Sequence, residues 1–371
     1  MPGECPGRAS LQTHFAVVAF PEPLADDEIP CGRSSQRTLW RAFAAAAIAV
    51  VLFACDSARA SELPDAATLL GSLGFTPAQI TQVQAGQFVR GRATPGSDRE
   101  LAVLMAFQAP LSPTDLMSSV KSGLLDRVDA NTTSVGVVPD GGGIADFARL
   151  VLQPDAQRRA NAYVTATPGG ALHLSTGEIA AFQGLGTGAP IAAVEQEIRS
   201  ALLARLQAYR SQGLAGIAPY ALARGQQRDV GGELRIANRG LSRLEPVVPA
   251  ALRLLRDYPR SKPPGTEETF RWSQFEANRT PTIAITHVLL VPDGDAWIVV
   301  QRQFYVSTGY NSVQATAAFL PAKGGTVVVY GNRTSTDQVA GLGGSARRSI
   351  GARMLGTELE ALLEKARAAA R

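Results

Sequence analysis

Four apolar segments, TIAITHVLLV, WIVVQRQFYVS, QATAAFLP and TVVVYGN, follow one another between Thr282 and Asn332, and two of the joins are only PDGD and AKGG. A join that short turns a strand straight back beside its predecessor, whereas a parallel neighbour needs a crossover of a dozen or more residues. The segments are rich in Val, Ile, Phe, Tyr and Thr, which suit a pleated, half-buried surface. This part of the chain is therefore expected to form an antiparallel sheet, and the remaining elements must cover it.

The chain closes on a helical pattern, with Ile350, Met354, Leu355, Leu359, Leu362, Leu363 and Ala366 on one face. A second long stripe runs through Val194, Ile198, Ala201, Leu202, Leu206 and Tyr209. EPVVPAALRLLRDYP reads as another helix, stopped by Pro259, and PRSKPPGTEE as a proline-rich connector. Earlier, ELPDAATLLGSLGFTPAQITQVQAG predicts two short helices, the second with Thr76 as N-cap and Pro77 at its first position. Strands are expected at Phe88–Ala93 and Glu100–Gln108, then a helix in SPTDLMSSVKSGLLDRV with Ser112 or Thr114 as cap. FARLVLQ and NAYVTATPGGALHLS read as further strand, the latter a hairpin turning on Pro168–Gly169–Gly170. Strands, helices, strands and a last helix segregate as in an α+β fold. The expectation is an antiparallel sheet with a long C-terminal helix, in the manner of helix-grip or START-like lipid-binding proteins, and a helical insertion at about 191–260. Residues 61–371 are read as one domain.

Residues 1–60 differ in kind. Arg33, Arg37 and Arg41 precede the thirteen-residue apolar run Ala42–Ala54, and Ala58-Arg59-Ala60 offers a small-x-small cleavage site. That is the pattern of a secretory signal peptide, with cleavage after Ala60. A spanning helix needs about 20 apolar residues, so the run is short for a membrane span. LFAC also resembles a lipobox, which leaves lipidation of Cys55 and an envelope anchor as the alternative. All three cysteines lie in this leader. The body after residue 60 has none, hence neither disulfide nor thiolate chemistry. It holds 31 basic against 26 acidic side chains, a dispersed +5 that does not suggest nucleic acid.

Alternation along the strands sorts the polar residues. His287 shares a face with Ile283, Ile285, Leu289 and Val291. Arg302 shares one with Ile298, Val300, Phe304 and Val306, and the opposite face is expected to carry Trp297, Val299, Gln301, Gln303 and Tyr305 as an amphipathic row. Tyr330, Asn332, Arg333 and Asp337 form a second polar group between the last strand and the last helix.

THVLLV, QRQFYVSTGY and VYGNRTSTDQVAGLGG followed by R resemble segments of a family of uncharacterised bacterial exported proteins. The likeness runs over most of the body and is strongest in its last hundred residues. It implies export and a shared architecture, and no activity. Members of that family often carry a cysteine pair where this chain has AYVTATPGGALHL, so that pair is not an indispensable catalytic element.

The residues themselves restrict the chemistry. Only His173 and His287 follow the leader, without an HExxH pattern, so no metal or other cofactor is expected. No GxSxG is present, and the S-x-x-K match at Ser118 and Lys121 has no S-D-N companion. Three readings stay open: an exported binder of a small apolar or lipid-like ligand, a hydrolase using the His287, Tyr305, Arg333 and Asp337 region, and a structural envelope protein. The ligand-binding candidates are His287, Gln301, Gln303, Tyr305, Tyr330, Asn332, Arg333 and Asp337.

Overall fold

The structure, a computed structural model, describes residues 63–277 and 280–370. The expected signal peptide, its expected cleavage after Ala60 and the alternative lipidation at Cys55 lie outside the described residues. The described chain opens with α1 (Ala66–Ser72) and α2 (Pro77–Gln84). Thr76 caps α2 through the Gln79 amide, Gln79 reaches back to the Thr76 amide, and Pro77 holds the first turn, as expected. β1 (Val89–Gly91), β2 (Glu100–Ala109), α3 (Pro113–Lys121), α4 (Leu124–Val128) and β3 (Thr132–Val138) follow. Ser112 is the cap of α3, bonding the Asp115 amide.

A mostly helical stretch then runs through α5 (Ala156–Val164), α6 (Thr176–Leu185), α7 (Ile191–Gln212), the two-residue strands β4 (Tyr220–Ala221) and β5 (Gln227–Arg228), α8 (Val230–Arg239) and α9 (Pro249–Asp257). The final third consists of β6 (Glu267–Ala277), β7 (Thr280–Asp293), β8 (Ala296–Val306), β9 (Ser312–Ala322), β10 (Gly325–Ser335) and α10 (Gly344–Ala369).

Eight strands form one sheet in the order β1-β2-β10-β9-β8-β7-β6-β3, antiparallel at every step. The fold is α+β, an antiparallel sheet with a long C-terminal helix, as the element order implied. Both faces are covered. Side chains of α1 and α5 to α9 fill one core with Ile283, Ile285, Val300 and Phe304 of the sheet. On the other face α3, α4 and α10 fill a second core with Leu101, Val288, Val299 and Phe319.

Four local expectations are corrected. The helical segment begins at Ala156, well before 191, and NAYVTATPGGALHLS is not a hairpin. Ala160, Tyr163 and Val164 recur at helical spacing and are buried in α5, so the spacing of three and four outweighs the turn-like Pro168–Gly169–Gly170. FARLVLQ is not a strand either; Phe147 ends a 3-10 turn and Leu150 and Leu152 are buried from an irregular segment. Finally, Ile350 is 59% exposed rather than part of the buried face of α10.

Two strands of the eight-stranded sheet were not expected, β3 and β6. Arg271, Ser273 and Gln274 interrupt the apolar pattern of β6, yet all are buried. The Gln274 amide exchanges two hydrogen bonds with the Val151 backbone, and Trp272 donates to the Asp146 carbonyl at 2.8 Å. Trp272 lies so close over Gly136 of β3 that a Cβ there would stand 2.3 Å from its indole nitrogen.

Candidate functional site

The position of each candidate side chain depends on one irregularity. Along β7 and β8, Thr286 faces Gln303 but Ile285 faces Tyr305, so Phe304 is an extra residue in a β-bulge. The bulge reverses the alternation. Gln301 stays with Trp297 and Val299 on the α10 side, whereas Phe304 and Tyr305 both enter the core beneath α7 and Val306 moves to the opposite core. The expected row of Gln301, Gln303 and Tyr305 is therefore divided between the two faces. Backbone groups freed at the bulge find side chains: the Val306 N–H donates to the Tyr220 hydroxyl at 3.1 Å, and the Ile283 N–H to Ser307 Oγ at 2.8 Å.

His287 does lie among apolar neighbours, stacked on Phe270 with ring centroids 4.5 Å apart, and belongs to a buried polar chain. Arg302, opposite it on β8, donates to the Tyr209 hydroxyl at 3.1 Å, to Gln314 Oε1 at 2.8 Å and to the Leu255 carbonyl at 3.0 Å. The Tyr209 oxygen lies 2.9 Å from His287 Nδ1, and Glu268 Oε1 is 3.0 Å from His287 Nε2. Arginine has no acceptor, so the Tyr209 hydrogen must point to Nδ1, which leaves the imidazole proton on Nε2, facing Glu268. That last approach is at ion-pair distance, without the alignment of a hydrogen bond. Glu268 Oε1 also accepts from Tyr258 at 2.5 Å, and Oε2 from Lys262.

Burial drives His287 down to about 4, so the neutral ring is the form present near neutral pH. Burial pushes Glu268 upward, but His287, Lys262 and Tyr258 outweigh it and hold the carboxyl at about 2. The chain ties α7 and α9 to the middle of the sheet.

The other candidates have separate partners. Tyr305 lies under the Arg205 guanidinium at 4.4 Å, itself paired with Glu178 at 2.5 Å. Gln303 accepts from Tyr310 at 2.7 Å, and Asn332 accepts from Thr334 at 2.8 Å. Arg333 is paired with buried Glu100 at 2.8 Å and donates to the Gly240 carbonyl at 2.9 Å. Asp337 is half-exposed between Arg228 at 2.6 Å and Arg99 at 3.0 Å. His287, Tyr305, Arg333 and Asp337 do not converge. Among the described residues, no cluster of three or more His, Cys, Asp or Glu side chains could hold a metal ion, and no helix is long and apolar enough to cross a membrane.

Gln301 and Tyr330 are brought together at the wall of a cavity of about 80 Å³ between α10 and the sheet. Leu359, Leu362 and Leu363 of α10 close one side and Leu116, Val120 and Leu124 another. The floor is hollow because β9 presents Ala315 and Ala317 between the larger Val299 and Phe319. Nearly all its lining is apolar. Gln301, Thr316, Tyr330 and Arg367 are the polar residues at its border; Gln301 is 7% exposed, and among the described residues its amide has no hydrogen-bond partner. Tyr330, whose hydroxyl is 3.5 Å from Asn332 Nδ2, is pushed above the ordinary tyrosine range by burial. Sequence reasoning missed Tyr209, Glu268, Gln314 and Asn238, whose Oδ1 also accepts from Arg302 at 3.3 Å. Tyr209 closes the apolar stripe of α7, and nothing in the local pattern distinguishes it from core.

No family model matches the sequence, and neither a curated protein nor a solved structure matches the chain.

Proposed function

We propose that this protein is an exported, non-enzymatic binder of a small apolar or lipid-like ligand, held in the cavity beneath α10. The observation that carries this reading is the apolar cavity itself, closed by α10 and the sheet, with Gln301 at its wall and no side-chain hydrogen bond to Gln301 among the described residues. A ligand carbonyl, hydroxyl or carboxyl at Gln301 adds a neutral hydrogen bond, about 0.5–1.5 kcal/mol. Ligand sites commonly have this composition, apolar walls with a few placed polar groups.

The cavity's size limits the occupant. It holds about 80 Å³, roughly half of the ~150 Å³ that accommodates benzene in an engineered apolar cavity. It takes the end of an alkyl chain or a molecule of a few carbons. A lipid-sized ligand requires the Leu362–Leu363 turn of α10 to move outward. Each buried methylene contributes about 0.8 kcal/mol. The hydrolase alternative has less support, because His287, Tyr305, Arg333 and Asp337 each have partners of their own, and so does the structural alternative, which gives Gln301 nothing to do.

The test is native mass spectrometry of the purified protein with organic extraction, together with titration of a fluorescent fatty acid. Ala317→Leu adds three carbons to the cavity floor and is expected to abolish binding. A wild-type protein that is empty and takes up no fatty acid, or an Ala317→Leu variant that binds as well as wild type, overturns the proposal.

A further inference from the structure

On the opposite face of the sheet lies a larger cleft of about 410 Å³, bordered by the β1–β2 connection, the end of α8 and β10. Four arginines border it: Arg92, Arg239, Arg243 and Arg333. Arg333 is neutralised by Glu100, which also accepts from the Gly96 N–H. Arg92, Arg239 and Arg243 are exposed, and among the described residues none has an ion pair or hydrogen bond. Like charges gathered without a counter-charge repel one another, and they are relieved when an anion enters.

A second observation is independent of the arginines. Gln314 borders the same cleft and is 1% exposed. Its Oε1 accepts twice from Arg302, at 3.1 and 2.8 Å, which fixes the amide's orientation. Its Nε2 group is buried with no partner. The cleft therefore offers donors and positive charge, the combination that suits phosphate, whose oxygens are acceptors.

One end of the cleft is apolar. Leu73, Leu104, Leu241 and Leu244 are shared with an adjoining hollow of about 90 Å³ whose walls continue through Leu69 and Val248. We infer that this is a second binding site, distinct from the cavity beneath α10, for a phosphate monoester bearing an apolar group. The phosphate sits among Arg92, Arg239 and Arg243, and the apolar group lies against the leucines.

Isothermal titration with hexyl phosphate, inorganic phosphate and hexanol tests this, using in parallel an Ala315→Leu protein, whose substitution fills the cavity beneath α10 and borders neither the cleft nor its adjoining hollow. Hexyl phosphate is expected to bind at least about tenfold more tightly than either fragment, equally in Ala315→Leu. Replacing Arg239 and Arg243 together by Ala, both exposed and remote from the core, is expected to weaken it about tenfold or more. The inference is overturned if hexyl phosphate does not bind, if inorganic phosphate binds as well, or if the double variant binds as wild type does.

Discussion

Gln301 separates stability from binding, and Gln301→Leu tests that separation. Gln301 is 7% exposed at the wall of an apolar cavity, and among the described residues no donor or acceptor meets its amide. Its amide atoms are not among the fully enclosed unpaired groups, so in the ligand-free protein leaving them without a protein partner costs less than a full desolvation penalty. Gln301→Leu is therefore expected to leave the stripped protein as stable as wild type or more stable by up to about 1 kcal/mol, read as an unchanged or higher urea midpoint with unchanged slope. The same change removes one neutral hydrogen bond to the ligand, about 0.5–1.5 kcal/mol, or a roughly two- to tenfold weaker affinity. Most core substitutions destabilise, so an outcome with no loss of stability is discriminating. A Gln301→Leu protein less stable than wild type by more than about 1 kcal/mol would show that the amide is already satisfied, and the argument for a ligand would go with it.

Tyr209→Phe removes the hydroxyl between Arg302 and His287 and leaves two buried groups unpaired, at an expected cost of about 2–5 kcal/mol by urea unfolding. Tyr305→Phe keeps the ring under Arg205 and is expected to change stability by less than about 1 kcal/mol; equal effects would contradict the network. The folded-state value of His287, about 4, lies below its free value of 6.5, so between those pH values the unfolded chain takes up a proton that the folded chain refuses. That contribution is complete above 6.5 and is lost as the pH falls towards 4. Burial raises Glu233 to about 7, which acts oppositely between 4.5 and 7, so the readout is wild type against His287→Gln. Wild type should lose stability relative to that variant by up to about 1.4 kcal/mol per pH unit on acidification, and a constant difference would refute the assignment. Arg333→Met strands the buried Glu100 carboxylate and should cost about 3–5 kcal/mol, whereas Asp337→Asn, half-exposed, should cost under about 1 kcal/mol in the same assay.

The strands from Thr280 to Ser335 were legible because short turns and period-two alternation agree. β6 was not, because Arg271, Ser273 and Gln274 read as solvent-facing until helices cover both sheet faces and supply the Gln274 amide with the Val151 backbone. The same limit applied to the candidate site. Alternation placed His287 and Arg302 correctly, one opposite the other. It failed two residues later, at Phe304, since neither glycine nor proline marks the bulge and the groups that accommodate it, Tyr220 and Ser307, come from outside the strand pair or beyond its end. Gln301 and Tyr330 were chosen as polar residues on apolar strands; that both border one hollow depends on Ala315 and Ala317 of a third strand.

The order of the strands sets a schedule for the growing chain. β2 finds its partner in β10, and β3 in β6, so segments made early wait for segments made more than a hundred residues later. Until the last third has emerged, neither early strand has the neighbour that fills its open hydrogen-bonding edge. Pairings this remote in sequence form slowly. The first half of this protein is thus not a unit that can be finished by itself, and the sheet closes only once β10 has been made.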